Sequence, residues 1–260
     1  MIVGWIGALL MGLVLGLMGA GGSIISVPVF VYLFGVPATK ATGYSLFVVG
    51  FAAWIGAWRY HREKLLQYKT GLIFAIPAII GVYTSRRFIV PSLPEIVLSS
   101  PMITKDQFIL VVFSMLVLAS SIKMIRSTSH TLSEAKKTHP AWLAPQGLFV
   151  GIISGFVGAG GGFLIIPALV FWGGLEMKKA VGTSLMIIAL QSSIGFLGEL
   201  QVNPHMNWKL LLTFCSIALI GLWIGIQKSQ TVSQETLKKY FGYFLLVIAL
   251  WIVGKEVLFT

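Results

Sequence analysis

A glycine-rich segment occurs twice in this chain, and it limits the possible folds more than any other feature of the sequence. Gly12 to Pro28 reads GLVLGLMGAGGSIISVP, and residues 151–167 read GIISGFVGAGGGFLIIP. The copies are 139 positions apart, and the same spacing continues without a gap to Leu46 and Leu185. An internal repeat of this kind predicts two structural units of one design instead of a single irregular domain.

The rest of the chain is strongly apolar. Hydrophobic residues make up 57% of it and charged residues 10%, with a mean hydropathy of +0.90, whereas soluble domains are about a quarter charged. Its uncharged runs approach the roughly 17–25 residues that cross a bilayer as a helix. We therefore expect an all-α polytopic membrane protein. The net charge of +11 is spread over the ends of these runs, so nucleic acid is not an expected partner.

Each glycine-rich segment is predicted to break its helix. The uncharged stretch over residues 4–35 would form a helix of about 48 Å, which is too long for a hydrocarbon core of about 30 Å. The expected break is Gly19–Ser23 in the first copy and Gly158–Gly162 in the second. Each copy then consists of two short helical elements that meet at a glycine-rich turn, as a re-entrant hairpin or as two short spans.

The distribution of Lys and Arg favours this paired arrangement, because cytoplasmic loops carry an excess of both. With a helix pair in each copy, 13 of the 19 cations fall on one side and six on the other. With one span per copy the division is ten against nine. Five elements in each half make the second half enter the membrane from the opposite side. The prediction is two inverted repeats, each with a broken glycine-rich helix pair followed by three transmembrane helices.

The repeats divide the chain into three parts. Residues 1–126 form the first repeat, 127–144 a polar cytoplasmic linker and 145–260 the second repeat, with both termini outside the cytoplasm of a cell membrane protein.

In transporters of this architecture, broken helices meet the substrate near the bilayer midplane. If helices begin near Ser23 and Gly162, their first amide groups can bind an anion. We expect the two turns to face each other and hold a small anion.

The candidate substrate-binding residues are glycines of the two turns and polar residues of the spans that follow. They are Gly21, Gly22, Ser23, Ser45, Gly160, Gly161, Gly162, Thr183, Ser184 and Gln191. Gly12 and Gly16, with Gly151 and Gly155, have a spacing typical of close helix packing. For the hydroxyl groups, bonding to a carbonyl one helical turn earlier is an equal alternative. Gln191 matches an alanine in the first half and is expected to make the site asymmetric.

Other functional classes find little support. The acidic residues lie in loops or near span ends, and Glu199 is interpreted as a boundary residue. The four histidines have no metal-ligand spacing, and no catalytic grouping of Ser or Cys with His is present. No enzyme activity, cofactor or metal is expected. Trp54 is a candidate for lining a pocket.

The second copy also carries a family resemblance. The run G-x-G-G-G-x-x-x-x-P at residues 158–167, followed by AVGTSL at residues 180–185, resembles the sulfite exporter TauE/SafE family. The first half has Ser23 and Tyr44 where the second has Gly162 and Thr183. The resemblance implies a secondary transporter that moves sulfite, thiosulfate, sulfoacetate or another sulfonate across the cytoplasmic membrane by alternating access. Its partners would be a small anionic substrate and the lipid bilayer, with a homodimer left open. An anion channel and a transporter of small organic carboxylates are the alternatives.

Overall fold

The protein is built from helices, as the computed structural model shows. It describes residues 2–19, 22–99, 102–126, 142–158, 161–229, 242–243, 246–252 and 254. The first half contains helices α1 Ile2–Met18, α2 Ser23–Leu33, α3 Ala38–Arg62, α4 Tyr68–Ser92 and α5 Lys105–Arg126. The second half contains α6 Leu143–Val157, α7 Gly162–Phe171, α8 Met177–Val202, α9 Trp208–Ser229 and a helical stretch α10 over residues 242–243, 246–252 and 254.

Two details interrupt this regular plan. A short antiparallel hairpin, β1 Ile96–Ser99 and β2 Met102–Thr104, joins α4 to α5. Two helices also contain a π-helical turn, over Val29–Leu33 in α2 and Ser85–Ile89 in α4. Such turns are rare and often mark functional positions in helices.

Four helices in the described ranges are long and apolar enough to cross a membrane. They are Ala38–Arg62, Tyr68–Ser92, Lys178–Val202 and Trp208–Lys228. The shorter apolar helices include α1, α2 and α6. The chain is therefore an all-α, multi-pass membrane protein, as its composition predicts.

The predicted breaks in both glycine-rich segments are confirmed. Helix α2 begins at Ser23 and α7 at Gly162, which are the predicted starting points. Gly19, Gly158 and Gly161 have φ angles of 75°, 72° and 63°. These angles lie in the left-handed region, where a side chain is strained. Glycine therefore lets the chain leave one helix and enter the next within a few residues.

Four glycines bring helices of the two halves into backbone contact. A Cβ atom at Gly12 would lie 1.8 Å from the carbonyl oxygen of Ala218 in α9. A Cβ atom at Gly151 would lie 2.2 Å from the carbonyl oxygen of Ala78 in α4. The first helix of each half thus packs on the fourth helix of the other. The helix-packing interpretation is confirmed for Gly12, Gly16, Gly151 and Gly155.

Helices α3 and α8 form the central antiparallel pair of the molecule. A Cβ atom at Gly56 would lie 3.0 Å from Leu185 Cδ1, and one at Gly195 would lie 3.3 Å from Leu46 Cδ1. Leu46 matches Leu185 in the repeat, and Gly56 matches Gly195, so the two contacts are counterparts of each other. At the centre, Trp54 Nε1 donates a hydrogen bond of 3.1 Å to Ser193. Trp54 is 49% exposed, so its side chain lies at the surface of this pair.

Replacing Gly151 with alanine tests the close packing of α6 on α4. The added methyl group would force the two backbones apart, and overpacking of this kind costs about 1–3 kcal/mol of stability. We expect a lower apparent melting temperature for Gly151→Ala in detergent. Gly254→Ala is the control, because a Cβ atom there meets no atom of the described residues within 4 Å. Equal melting temperatures for the two variants would contradict the packing argument.

Candidate functional site

The second glycine turn lies beside two buried polar side chains. A Cβ atom at Gly161 would lie 3.0 Å from Ser154 Oγ and 3.3 Å from Gln191 Nε2. Gln191 Nε2 donates a hydrogen bond of 3.3 Å to Ser154 Oγ, and both residues are buried. The structure therefore places an amide and a hydroxyl group beside the turn that leads into α7. Gly162, the first residue of α7, is also buried.

The atoms nearest to Gly22 in the first glycine turn belong to the backbone and to an aliphatic side chain. Gly22 has a right-handed helical φ of −65°, and its Cβ atom would lie 2.2 Å from the Met11 carbonyl oxygen. The positions that match Ser154 and Gln191 are Leu15 and Ala52. Gln191 thus makes the two turns chemically different. The candidates Gly21 and Gly160 lie outside the described residues.

The serine candidates are engaged in contacts within and between helices. Ser45 Oγ in α3 is hydrogen-bonded to Ser26 Oγ in α2. Ser26 Oγ also bonds to the Ser23 carbonyl oxygen at 2.6 Å. Ser184 Oγ donates to the Val181 carbonyl oxygen at 2.8 Å, which is the alternative role considered from the sequence. Ser45 therefore connects two helices, whereas Ser184 bonds to its own helix.

Thr183 and Tyr44 occupy matching positions of the repeat. Each accepts a hydrogen bond from the backbone of a loop in the other half. The backbone N–H of Gln67, just before α4, donates to Thr183 Oγ1 at 3.0 Å. The backbone N–H of Asn207, just before α9, donates to the Tyr44 hydroxyl at 2.9 Å. The two bonds are counterparts across the repeat. In this structure Thr183 therefore accepts a hydrogen bond that joins the halves.

Gly19 and Gly158, which follow α1 and α6 directly, pack against opposite ends of the central helix pair. A Cβ atom at Gly19 would lie 2.3 Å from Val181 Cγ1, near the start of α8. A Cβ atom at Gly158 would lie 2.3 Å from Thr42 Cβ, near the start of α3. Because α3 and α8 are antiparallel, their starting ends lie on opposite sides of the molecule. Each of these glycines thus packs against the third helix of the other half, at opposite ends of the central pair.

A buried ion pair joins α4 to α8. Arg86 Nη1 donates to Glu199 Oε2 at 3.0 Å, and the residues are 1% and 3% exposed. Glu199 Oε1 also accepts a hydrogen bond of 2.8 Å from Asn203 Nδ2. Glu199 stands near the end of α8, as expected of a boundary residue, but it is enclosed and paired with Arg86. Both side chains are enclosed because the two helices pack together at this level.

Two glycines make room for this ion pair. A Cβ atom at Gly43 would lie 2.6 Å from Glu199 Cγ. One at Gly198 would lie 3.3 Å from Arg86 Cβ. Both glycines are visible in the sequence, but they do not identify the two charged residues as partners. Sequence reasoning missed this pair for that reason.

Comparisons with known proteins agree with a role in membrane transport. The family model described as sulfite exporter TauE/SafE matches residues 5–252. The chain is 27% identical over 262 residues to a probable membrane transporter protein of Xylella fastidiosa strain Temecula1, covering 95% of this chain and 92% of that protein. It is 26% identical over 281 residues to the probable membrane transporter protein YunE of Bacillus subtilis, covering 96% and 94%. No solved structure matches the chain significantly.

The ion pair yields a prediction about stability. Glu199→Ala leaves the Arg86 charge buried without its carboxylate, and breaking a buried pair in this way costs about 3–5 kcal/mol. Glu63→Ala is the control, since it removes an ion pair with Arg59 whose side chains are 35% and 49% exposed. Exposed pairs contribute at most about 1 kcal/mol. Unfolding of both variants in detergent measures the difference, and equal losses would argue against burial of the Arg86–Glu199 pair.

Proposed function

Because the chain belongs to the sulfite exporter TauE/SafE family, we propose that it is a secondary transporter for a small sulfur-containing anion. The substrate would be sulfite, thiosulfate, sulfoacetate or another sulfonate, moved across the cytoplasmic membrane by alternating access. Proteins of this family are membrane transporters and not enzymes. The observation that supports an anion is the pair of buried hydrogen-bonding groups, Ser154 and Gln191, beside the turn at Gly161.

The start of α7 supplies the proposed binding chemistry. The first amide groups of a helix have no acceptor within the helix, and together with the helix dipole they attract an anion. Gly160, Gly161 and Gly162 would let substrate oxygens reach these amide groups, because glycine has no side chain. Gln191 would donate a further hydrogen bond without adding charge. The polar groups of this turn form the proposed substrate contact of the second half.

The first half would contribute the matching part of the site. We assign this role to Gly21, Gly22, Ser23 and Ser45, since Ser45 already links α3 to α2 through Ser26. Thr183 and Ser184 stand at the start of α8, next to the Val181 contact of Gly19. They would orient the anion or keep this helix in register. In this proposal the two turns together hold the anion.

The proposed architecture is a pair of inverted repeats over residues 1–126 and 145–260. Reciprocal contacts between the halves support this proposal. Helix α1 packs on α9 as α6 packs on α4. Thr183 accepts a hydrogen bond from the backbone of Gln67, as Tyr44 does from that of Asn207. A two-fold axis between the halves produces contacts of this kind, because each half then makes the same contact to the other. With five helical elements in each half and an excess of Lys and Arg on one side, the linker 127–144 would be cytoplasmic and both termini outside. Alternating access would then be a rocking of one repeat against the other.

Exchange of labelled sulfite across liposomes tests transport and the role of Gln191 together. Uptake should saturate and accelerate when unlabelled sulfite is inside, as expected of a carrier. Gln191→Met should lower the uptake rate at limiting sulfite about tenfold or more, because a hydrogen bond to a charged group contributes about 1.5–3 kcal/mol. Gln201→Met, an exposed position on the same helix, is the control. Uptake without saturation or acceleration would indicate a channel, and preference for acetate over sulfite would indicate a carboxylate transporter.

Labelling of single cysteines tests the inverted repeats. Lys64 lies between α3 and α4, and His205 lies in the matching connection between α8 and α9; both residues are exposed. After removal of the native thiol by Cys215→Ala, a cysteine replacing Lys64 should react only from the cytoplasmic side. A cysteine replacing His205 should react only from outside. Reaction of both from one side would show that the repeats are parallel.

A further inference from the structure

Arg86 presents one edge of its guanidinium group without a partner among the described residues. Its side chain is fully enclosed, and Nη1 is bonded to Glu199. Nε and Nη2 are buried and have no hydrogen-bond partner among the residues that the structure describes. These two nitrogens lie on the same edge of the guanidinium plane, the edge that can hold two oxygens of one anion in parallel hydrogen bonds. Buried polar groups are rarely left unpaired, because their desolvation is costly.

A second donor and an irregular backbone accompany this edge. Ser85 Oγ, on the neighbouring residue, is also buried without a partner in the described part of the chain. Both residues lie in the π-helical turn Ser85–Ile89 of α4. Such turns often occur at functional sites because they change the direction of side chains. The unpaired donors of Ser85 and Arg86 thus belong to one local feature of α4.

The surroundings of Arg86 connect it to the second glycine turn. A Cβ atom at Gly155, in the last turn of α6, would lie 2.8 Å from Ser85 Cβ. Glu199 packs against Gly43, whose neighbour Thr42 packs against Gly158. The guanidinium group therefore stands where α6 ends, at the level of the break that leads into α7.

The other half shows that the helix packing itself does not need this ion pair. Tyr60 occupies the position that matches Glu199, and it lies against Gly182 as Glu199 lies against Gly43. Gly12 meets Ala218 of α9 as Gly151 meets Ala78 of α4. Ile226 follows Ala218 at the same distance along the chain as Arg86 follows Ala78, so it stands at the matching place. The same helix arrangement therefore forms in the other half with an aromatic and an aliphatic residue in place of the two charges.

We propose that Arg86 is the charged recognition group for the transported anion. Two oxygens of a sulfite or sulfonate group accept hydrogen bonds from Nε and Nη2, and Ser85 adds a neutral donor. Glu199 keeps its bonds to Nη1 and Asn203, so that it holds the guanidinium plane in position. This assignment rests on the proposed anion transport, and it selects substrates that present two oxygens on one face.

The test measures binding of methanesulfonate to purified protein by equilibrium titration. Arg86→Lys retains the charge but removes the two-nitrogen edge, and it should weaken binding about tenfold or more. Arg86→Ile combined with Glu199→Tyr copies Ile226 and Tyr60 and leaves neither charge buried alone. This double variant should weaken binding at least about a hundredfold. Arg87→Gln, at the exposed neighbouring residue, is the matched control and should bind as the wild type does.

The outcomes separate this assignment from the proposed function. If Arg86→Lys or the double variant binds methanesulfonate as tightly as the wild type does, the proposed role of Arg86 is overturned. The proposed transport of sulfite would then still stand if the wild-type protein exchanges sulfite in liposomes. Absence of sulfite exchange and of methanesulfonate binding in the wild-type protein would overturn both proposals. A folded double variant, judged by its melting temperature and size-exclusion profile, that loses binding supports the assignment. If the double variant does not fold, Arg86→Lys decides alone.

Discussion

Direct contact between helix backbones is the interaction on which the rest of this structure depends. In a bilayer, hydrophobic burial does little to hold one apolar helix against another, so close packing must do so. Glycines on α1 and α6 allow this approach to α9 and α4, with no space left for even a methyl group at Gly12 or Gly151. These contacts tie each half to the other. They also fix where the glycine turns that end α1 and α6 can lie.

The same contacts provide a frame in which the two halves can be compared position by position. Hydroxyl groups of Tyr44 and Thr183 perform the same task, although their side chains differ. At other matched positions the chemistry diverges, as it does where Arg86 is replaced by Ile226. The divergent positions place Ser26 beside Ser45 in the first half, and Gln191 beside Ser154 in the second. The two glycine turns therefore differ in their polar groups, although matching contacts hold both halves together.

Local features of this protein were predictable from the sequence, and contacts between distant segments were not. The helix starts at Ser23 and Gly162 follow from glycines and the length of the apolar runs, both of which are local. Gly19 and Gly158 lie at opposite ends of the α3–α8 pair, because each pair of short helices extends a certain distance along the other half. That distance depends on contacts between distant segments. The Arg86–Glu199 pair was missed because charges at the ends of apolar runs ordinarily face water. The packing of α4 on α8, together with Gly43 of α3, encloses them.

The divergence between matched positions has a consequence for alternating access. A ligand shifts a conformational equilibrium only by the difference between its affinities for the two states. Two identical repeats would exchange conformations between states of equal energy, and an anion would find the same contacts in both. Here α4 carries a guanidinium group where α9 carries Ile226, so the two ends of the proposed cycle differ in their attraction for an anion. In the proposed cycle, a difference in anion affinity between the two states would therefore arise from the few positions at which the halves differ.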